Sequence, residues 1–130
     1  MLSFIGPFEQ KGITPNISLP DIPVPRNLDK SALSRIFGNV VSNAVKYSDG
    51  DFSVKMDGDG KTVFSNTAKG LSKADLGKLF DRFYTVDSAR KSTGLGLSIA
   101  KLLTEKMGGS ITAEYKNETL YITVCFENRQ

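Results

Sequence analysis

DKSALSRIFGNVVSNAVKYS, residues 29–48, is the stretch on which the reading of the fold turns. Leu33, Ile36, Phe37, Val40, Val41, Ala44 and Val45 recur at steps of three and four, the spacing of an amphipathic helix with one apolar stripe. Asp29 stands at the N-cap position, where a carboxylate accepts from the free backbone N–H groups of the first turn. At 100° per residue, Asn39, Asn43 and Lys46 fall within about 60° of one another and roughly 90° from the centre of the stripe, so they border the core. Asparagine is a poor residue inside a helix, and two of them one turn apart need a reason. Either both amides bond to neighbouring backbone, or their oxygens are neutral ligands for magnesium, which takes one or two protein groups and fills its shell with phosphate and water.

Working outward, residues 1–28 hold all five prolines and form a leading segment that allows at most a short strand such as Ile17–Leu19. After Ser48-Asp49-Gly50 closes the helix, Phe52, Val54 and Met56 alternate with polar residues. A turn at Gly58-Asp59-Gly60 and a strand from Lys61 to Ser65 complete a hairpin. Residues 66–94 are less periodic and carry Gly70, Gly77, Lys69, Arg82, Arg90 and Lys91. A short helix near Lys73–Phe83 is expected there, the remainder being a loop of the length lids often have. Phe80 and Phe83 read as anchors that pin this loop to the core.

Gly94-Leu95-Gly96 opens a second amphipathic helix through Ile99, Ala100, Leu102, Leu103 and Met107, which Gly108-Gly109 ends. Ile111, Ala113 and Tyr115, then Leu120, Ile122, Val124 and Phe126, alternate about a turn at Asn117. The order strand, helix, hairpin, loop, helix, hairpin predicts an α+β, two-layer α/β sandwich with a mixed, mostly antiparallel sheet and helices on one face. Residues 29–130 form its single domain.

With 130 residues, 39% of them apolar, the chain can bury a core without disulfides, and its one cysteine, Cys125, has no internal partner. It has no histidine, which excludes Ser-His-Asp and Cys-His triads and the histidine-based zinc motifs. Seventeen basic against fourteen acidic residues leave a net charge of +3, which suits a polyphosphate ligand. The basic residues are scattered without an aromatic RNA-binding signature, so no nucleic acid partner is expected. No apolar run is long enough to span a bilayer.

A second candidate feature is Thr93-Gly94-Leu95-Gly96-Leu97-Ser98. Two glycines let a ligand approach backbone N–H groups, and the helix behind them offers its positive end to an anion. The spacing is neither a Walker loop nor a GxGxxG motif, and a tight loop-to-helix joint accounts for the glycines equally well.

Taken together, Asn39 to Ser48 resembles the N box of the sensor histidine kinase ATP-binding domain. Leu79-Phe80-Asp81-Arg82-Phe83-Tyr84 is similar to its F box, and Ser92 to Lys101, followed by Gly108-Gly109, resembles its G2 box and the helix beyond. The resemblance runs from about Leu28 to Phe126. It implies a Bergerat fold that holds Mg²⁺-ATP between the N-box helix and the lid. By that likeness Asn43 ligates Mg²⁺ with Asn39 beside it, Lys46 contacts phosphate, and Tyr47 lines the nucleotide pocket. Thr93, Gly94, Leu95, Gly96 and Leu97 line the phosphate site with their backbone, and Arg82 or Arg90 reaches the γ-phosphate.

The family's G1 motif, Asp-x-Gly-x-Gly, is Asn66-Thr67-Ala68-Lys69-Gly70 in this chain. The resemblance assigns Asn66 to the adenine amino group, which an amide oxygen accepts from with roughly half the strength of a carboxylate. Ala68 narrows the room its glycine counterpart leaves, and weak ATP binding is the expectation.

The same likeness implies that the chain is the cytoplasmic ATP-binding part of a longer bacterial plasma-membrane kinase and is monomeric alone. Its partners would be its own dimerisation domain, which bears the acceptor histidine, and a response regulator. Two alternatives stand beside it: an anti-sigma-type serine kinase, and a nucleotide-free regulatory module that keeps the fold and binds a protein.

Overall fold

The computed structural model describes residues 16–18, 29–47, 50–81 and 96–126, with the backbone alone at 16–18 and 45–47. The long helix, α1, spans Lys30–Tyr47. It starts where the sequence predicts, because Asp29 Oδ1 accepts from the N–H groups of Ser31 at 2.8 Å and Ala32 at 3.1 Å. Ile36, Val40, Val41 and Ala44 are buried along its inner stripe, with Leu33 and Phe37 packed beside them.

Among the described residues five strands form one sheet: β1 (Asn16–Ser18), β2 (Ser53–Met56), β3 (Lys61–Thr67), β4 (Ser110–Lys116) and β5 (Thr119–Cys125). Their spatial order is β1-β2-β3-β5-β4, with β1 parallel to β2 and every other pairing antiparallel. Alternation places Val54, Thr62, Phe64, Asn66, Leu120, Ile122 and Val124 on the buried face. Phe64 is the centre of an aromatic cluster, edge-on to Phe37 at 5.5 Å and stacked near Phe52 at 6.4 Å. Among the described residues the helices pack on this face, and the result is the expected α+β sandwich. The opening strand lies one residue earlier than Ile17–Leu19.

Both hairpin turns have local chemistry that explains them. Asn117 and Glu118 adopt φ of 52° and 60°, the left-handed pair that a two-residue loop requires to match strand twist. In the β2–β3 turn, Asp57 Oδ1 accepts from the N–H groups of Asp59 at 2.9 Å and Lys61 at 3.1 Å. These bonds hold the Asp57 carboxyl below its ordinary pKa.

The second helix, α2 (Lys73–Lys78), is shorter than the stretch expected to reach Phe83. A capping box starts it, with Ser72 and Asp75 each accepting the other's backbone N–H at 3.0 Å. It ends because Leu79 turns inward to the core, where it is buried, and Phe80 packs against the same cluster. Phe80 is therefore an anchor as expected, with Lys101 Nζ 5.8 Å from its ring centroid; Phe83 lies outside the described residues. Of the loop expected over 66–94, the described part, 66–81, holds the end of β3, helix α2 and the packed Leu79 and Phe80.

Helix α3 spans Gly96–Lys106 and lies alongside α1. Its end is a Schellman motif: Gly108, at φ +82°, donates to Glu105 O, and Gly109 donates to Thr104 O at 2.9 Å. Its buried residues are Leu97, Ala100 and Thr104, whereas Leu102, assigned to the apolar face from sequence, is 55% exposed. Thr104 is fully buried because its hydroxyl donates to Ala100 O at 2.7 Å, which satisfies the polar group inside the core. No helix among the described residues is long and apolar enough to cross a membrane.

Candidate functional site

Helices α1 and α3 bring together the two features that the sequence separates by half the chain. Asn39 and Asn43 are half-buried on the flank of α1, beside the packed stripe and outside it. Gly96 is the first residue of α3, and a Cβ added there would lie 3.9 Å from Asn39 Cβ and 4.0 Å from Asn39 O. An amide-bearing helix flank therefore stands against the amino end of a second helix, where the helix dipole favours an anion.

Those distances are ordinary van der Waals separations, and the φ of Gly96 is outside the left-handed region. Neither packing nor backbone conformation among the described residues requires glycine at this position. The Leu97 side chain is buried in the core, so a ligand could meet only its backbone.

Asn66 occupies the end of β3, 4% exposed, and its Nδ2 donates to Thr67 O at 3.2 Å. Oδ1 accepts no hydrogen bond from the described residues, so the amide's free function is that of an acceptor. Ala68 is buried and its methyl belongs to the core cluster. Gly70 has φ +80°, a conformation that favours glycine, which gives this residue a structural reason independent of any ligand.

Three further residues hold this segment, and the sequence carried no signal for them. Asp51 accepts from Thr67 N–H at 2.7 Å and from Thr67 Oγ1 at 2.9 Å. Ala68 N–H donates to Glu118 O at 2.8 Å, and Tyr115 Oη donates to Ala68 O at 2.7 Å. Asp51 looks like a turn residue and Tyr115 like a strand residue until the sheet register is known.

Lys46 and Tyr47 close α1, where the backbone alone is described. Arg82, Arg90, Thr93, Gly94 and Leu95 lie outside the described residues. No group of three His, Cys, Asp or Glu that could hold a metal occurs among those described. A divalent ion held at this flank would take amide oxygens and oxygens of its own ligand. That donor set suits a hard ion such as Mg²⁺, which binds phosphate and water alongside one or two protein groups.

The whole is a two-layer α/β module with an amide-bearing helix set against a helix amino terminus. The chain belongs to the family of histidine kinase-, DNA gyrase B-, and HSP90-like ATPases, whose model matches residues 28–129. It is 34% identical over 125 residues to the sensor histidine kinase YcbM of Bacillus subtilis, an alignment that covers 89% of this chain and 40% of that protein. It is 35% identical over 127 residues to the sensor histidine kinase WalK of the same organism, covering 87% of this chain and 21% of that one. The chain thus spans well under half the length of these relatives. Its fold matches the nucleotide-free catalytic domain of the histidine kinase ThkA with a TM-score of 0.79 at 21% identity, over 97% of this chain and 88% of that one.

Proposed function

We propose that this chain is the Mg²⁺-ATP-binding catalytic domain of a bacterial sensor histidine kinase, which presents the γ-phosphoryl group to a histidine on a separate dimerisation domain. The observation that carries the reading is the placement of Asn39 beside Gly96. It sets the amide-bearing flank of α1 beside the amino end of α3, an arrangement that suits a metal-bound triphosphate. The chain contains no histidine of its own, so the acceptor has to come from elsewhere.

In this reading Asn66 Oδ1 accepts from the adenine amino group and orients the base, while Tyr47 lines the pocket and Ala68 and Gly70 shape the turn below it. The backbone of residues Thr93 to Leu97, with Gly94 and Gly96 giving closest approach, donates to phosphate oxygens, and Lys46 adds a cation. Asn43, with Asn39, would hold Mg²⁺, which supplies charge neutralisation between the phosphates. Arg82 or Arg90 offsets charge on the γ-phosphate as it transfers. Phosphoryl transfer asks the protein for positioning and electrostatic stabilisation, and no nucleophile in this domain is required.

The parent protein would be a plasma-membrane sensor with this domain in the cytoplasm, acting on a response regulator. Titration of the chain with ATP, with and without Mg²⁺, tests the reading. Saturable binding that Mg²⁺ strengthens is expected, and Asn43→Ala should remove the Mg²⁺-dependent part of the affinity. No saturation at millimolar ATP would favour a nucleotide-free regulatory module, a role that Asn66 and Ala68 in the G1-like segment leave open. Label transferred to serine in place of histidine on a supplied acceptor would favour the anti-sigma type of kinase.

A further inference from the structure

Three consecutive peptide groups around Asn66 are each fixed by a partner distant in sequence. The N–H of the 66–67 peptide donates to Asp51, the N–H of the 67–68 peptide donates to Glu118 O, and the C=O of the 68–69 peptide accepts from Tyr115. The middle one decides the chemistry. In a trans peptide the N–H and C=O point in opposite directions, so the bond from Ala68 N–H to Glu118 O also fixes the direction of Thr67 O. That oxygen accepts from Asn66 Nδ2.

An aspartate at this position would offer only acceptors, whereas an asparagine has two faces. With Oδ1 outward it reads an exocyclic amino group; turned over, with Nδ2 outward, it reads a ring carbonyl. A freely turning Asn66 would accept 6-amino and 6-oxo purines alike. Turning it over here would break the Nδ2 bond to Thr67 O and set two oxygens against each other.

The register supplies the support. Asn66, Leu120 and Tyr115 form one row across β3, β5 and β4, on the buried face of the sheet. From the end of that row Tyr115 Oη meets Ala68 O, joining residues 47 apart. Asp51, which follows α1, clamps Thr67 from the other side with both carboxylate oxygens.

We propose that Tyr115 and Asp51 are positioning residues for base selectivity: by holding the peptides on either side of Thr67 O they keep Asn66 with its oxygen outward, so that the site takes a 6-amino purine triphosphate and rejects the 6-oxo analogue. This rests on the nucleotide-binding reading above and assigns Asn66 a fixed orientation that the substitution of Asn for Asp alone does not guarantee.

The test compares the affinities of ATP and inosine triphosphate, which differ in the 6-amino against the 6-oxo group, in the wild-type chain, Tyr115→Phe and Asp51→Asn. Wild type is expected to favour ATP. Tyr115→Phe keeps the ring and removes one neutral hydrogen bond, so ATP affinity should fall about three- to tenfold. Inosine triphosphate affinity should change less, and the ratio should narrow. Asp51→Asn should narrow it too, and it carries the test if the tyrosine variant fails to fold.

Equal losses for both nucleotides, with the ratio unchanged, would show a loosened fold and overturn the proposal. Equal affinities in the wild type would also overturn it while leaving ATP binding intact. Failure of the wild type to bind ATP overturns the functional reading itself, and this inference with it.

Discussion

Gly96 and Gly109 flank α3, and the structure separates their reasons for being glycine. A Cβ at Gly109 would lie 2.5 Å from Phe126 Cδ1 and Cε1 and 2.7 Å from Cys125 O, so the ring and the end of β5 would both have to move. Gly109→Ala should cost about 1–3 kcal/mol of stability through overpacking, read as a lower urea midpoint at unchanged slope. Gly96→Ala meets only ordinary separations from Asn39. It should leave stability unchanged, or raise it by up to about 1 kcal/mol through helix propensity, while ATP affinity falls. A loss of stability matching that of Gly109→Ala would make Gly96 a packing residue and remove its assigned role. The sequence shows both glycines without distinguishing them, because the distinction lies in atoms contributed by other elements.

The elements follow local rules closely enough that most of them are legible from sequence. Asp29 caps α1, the paired glycines end α3, and alternation marks β2 to β5. Where the structure differs from these expectations, burial in the core is the cause. Leu102 counted as apolar is in the stripe by type, yet the line of residues facing inward on α3 runs Leu97, Ala100, Thr104, and the threonine enters the core only because it bonds to Ala100 O. Helix α2 stops at Lys78 because burying Leu79 and Phe80 outweighs continuing the helix.

The β2–β3 turn gives a prediction at this scale. Its backbone N–H groups favour the ionised Asp57, so the folded pKa lies below the unfolded value of about 3.9. The group therefore stabilises the fold above that pH, and the contribution is lost as pH falls through the folded value. Asp57→Asn should melt below wild type at pH 7, with the gap closing in a series of melts carried below about pH 4. A gap that persists undiminished in acid would assign the effect to turn geometry instead of charge.

For the whole molecule, a ligand that binds only the folded state raises stability by an amount that grows with the logarithm of its concentration, about 2.7 kcal/mol at a hundred times Kd. ATP with Mg²⁺ should therefore raise Tm continuously with concentration. In Asn43→Ala the shifts with and without Mg²⁺ should coincide, and a shift that still depends on Mg²⁺ would remove Asn43 from the metal. What the amino-acid order determined by itself was everything written in spacing: the stripe of α1, the hairpins, the caps, the two-layer class, and the presence of two asparagines and paired glycines in want of a reason. Only the tertiary structure decided that Asn39 abuts Gly96, and that residues 16 and 47 positions away hold the peptides around Asn66. Periodicity is a property of neighbours along the chain, whereas these pairings arise from strand register and from the docking of α3 on α1, which no local repeat encodes.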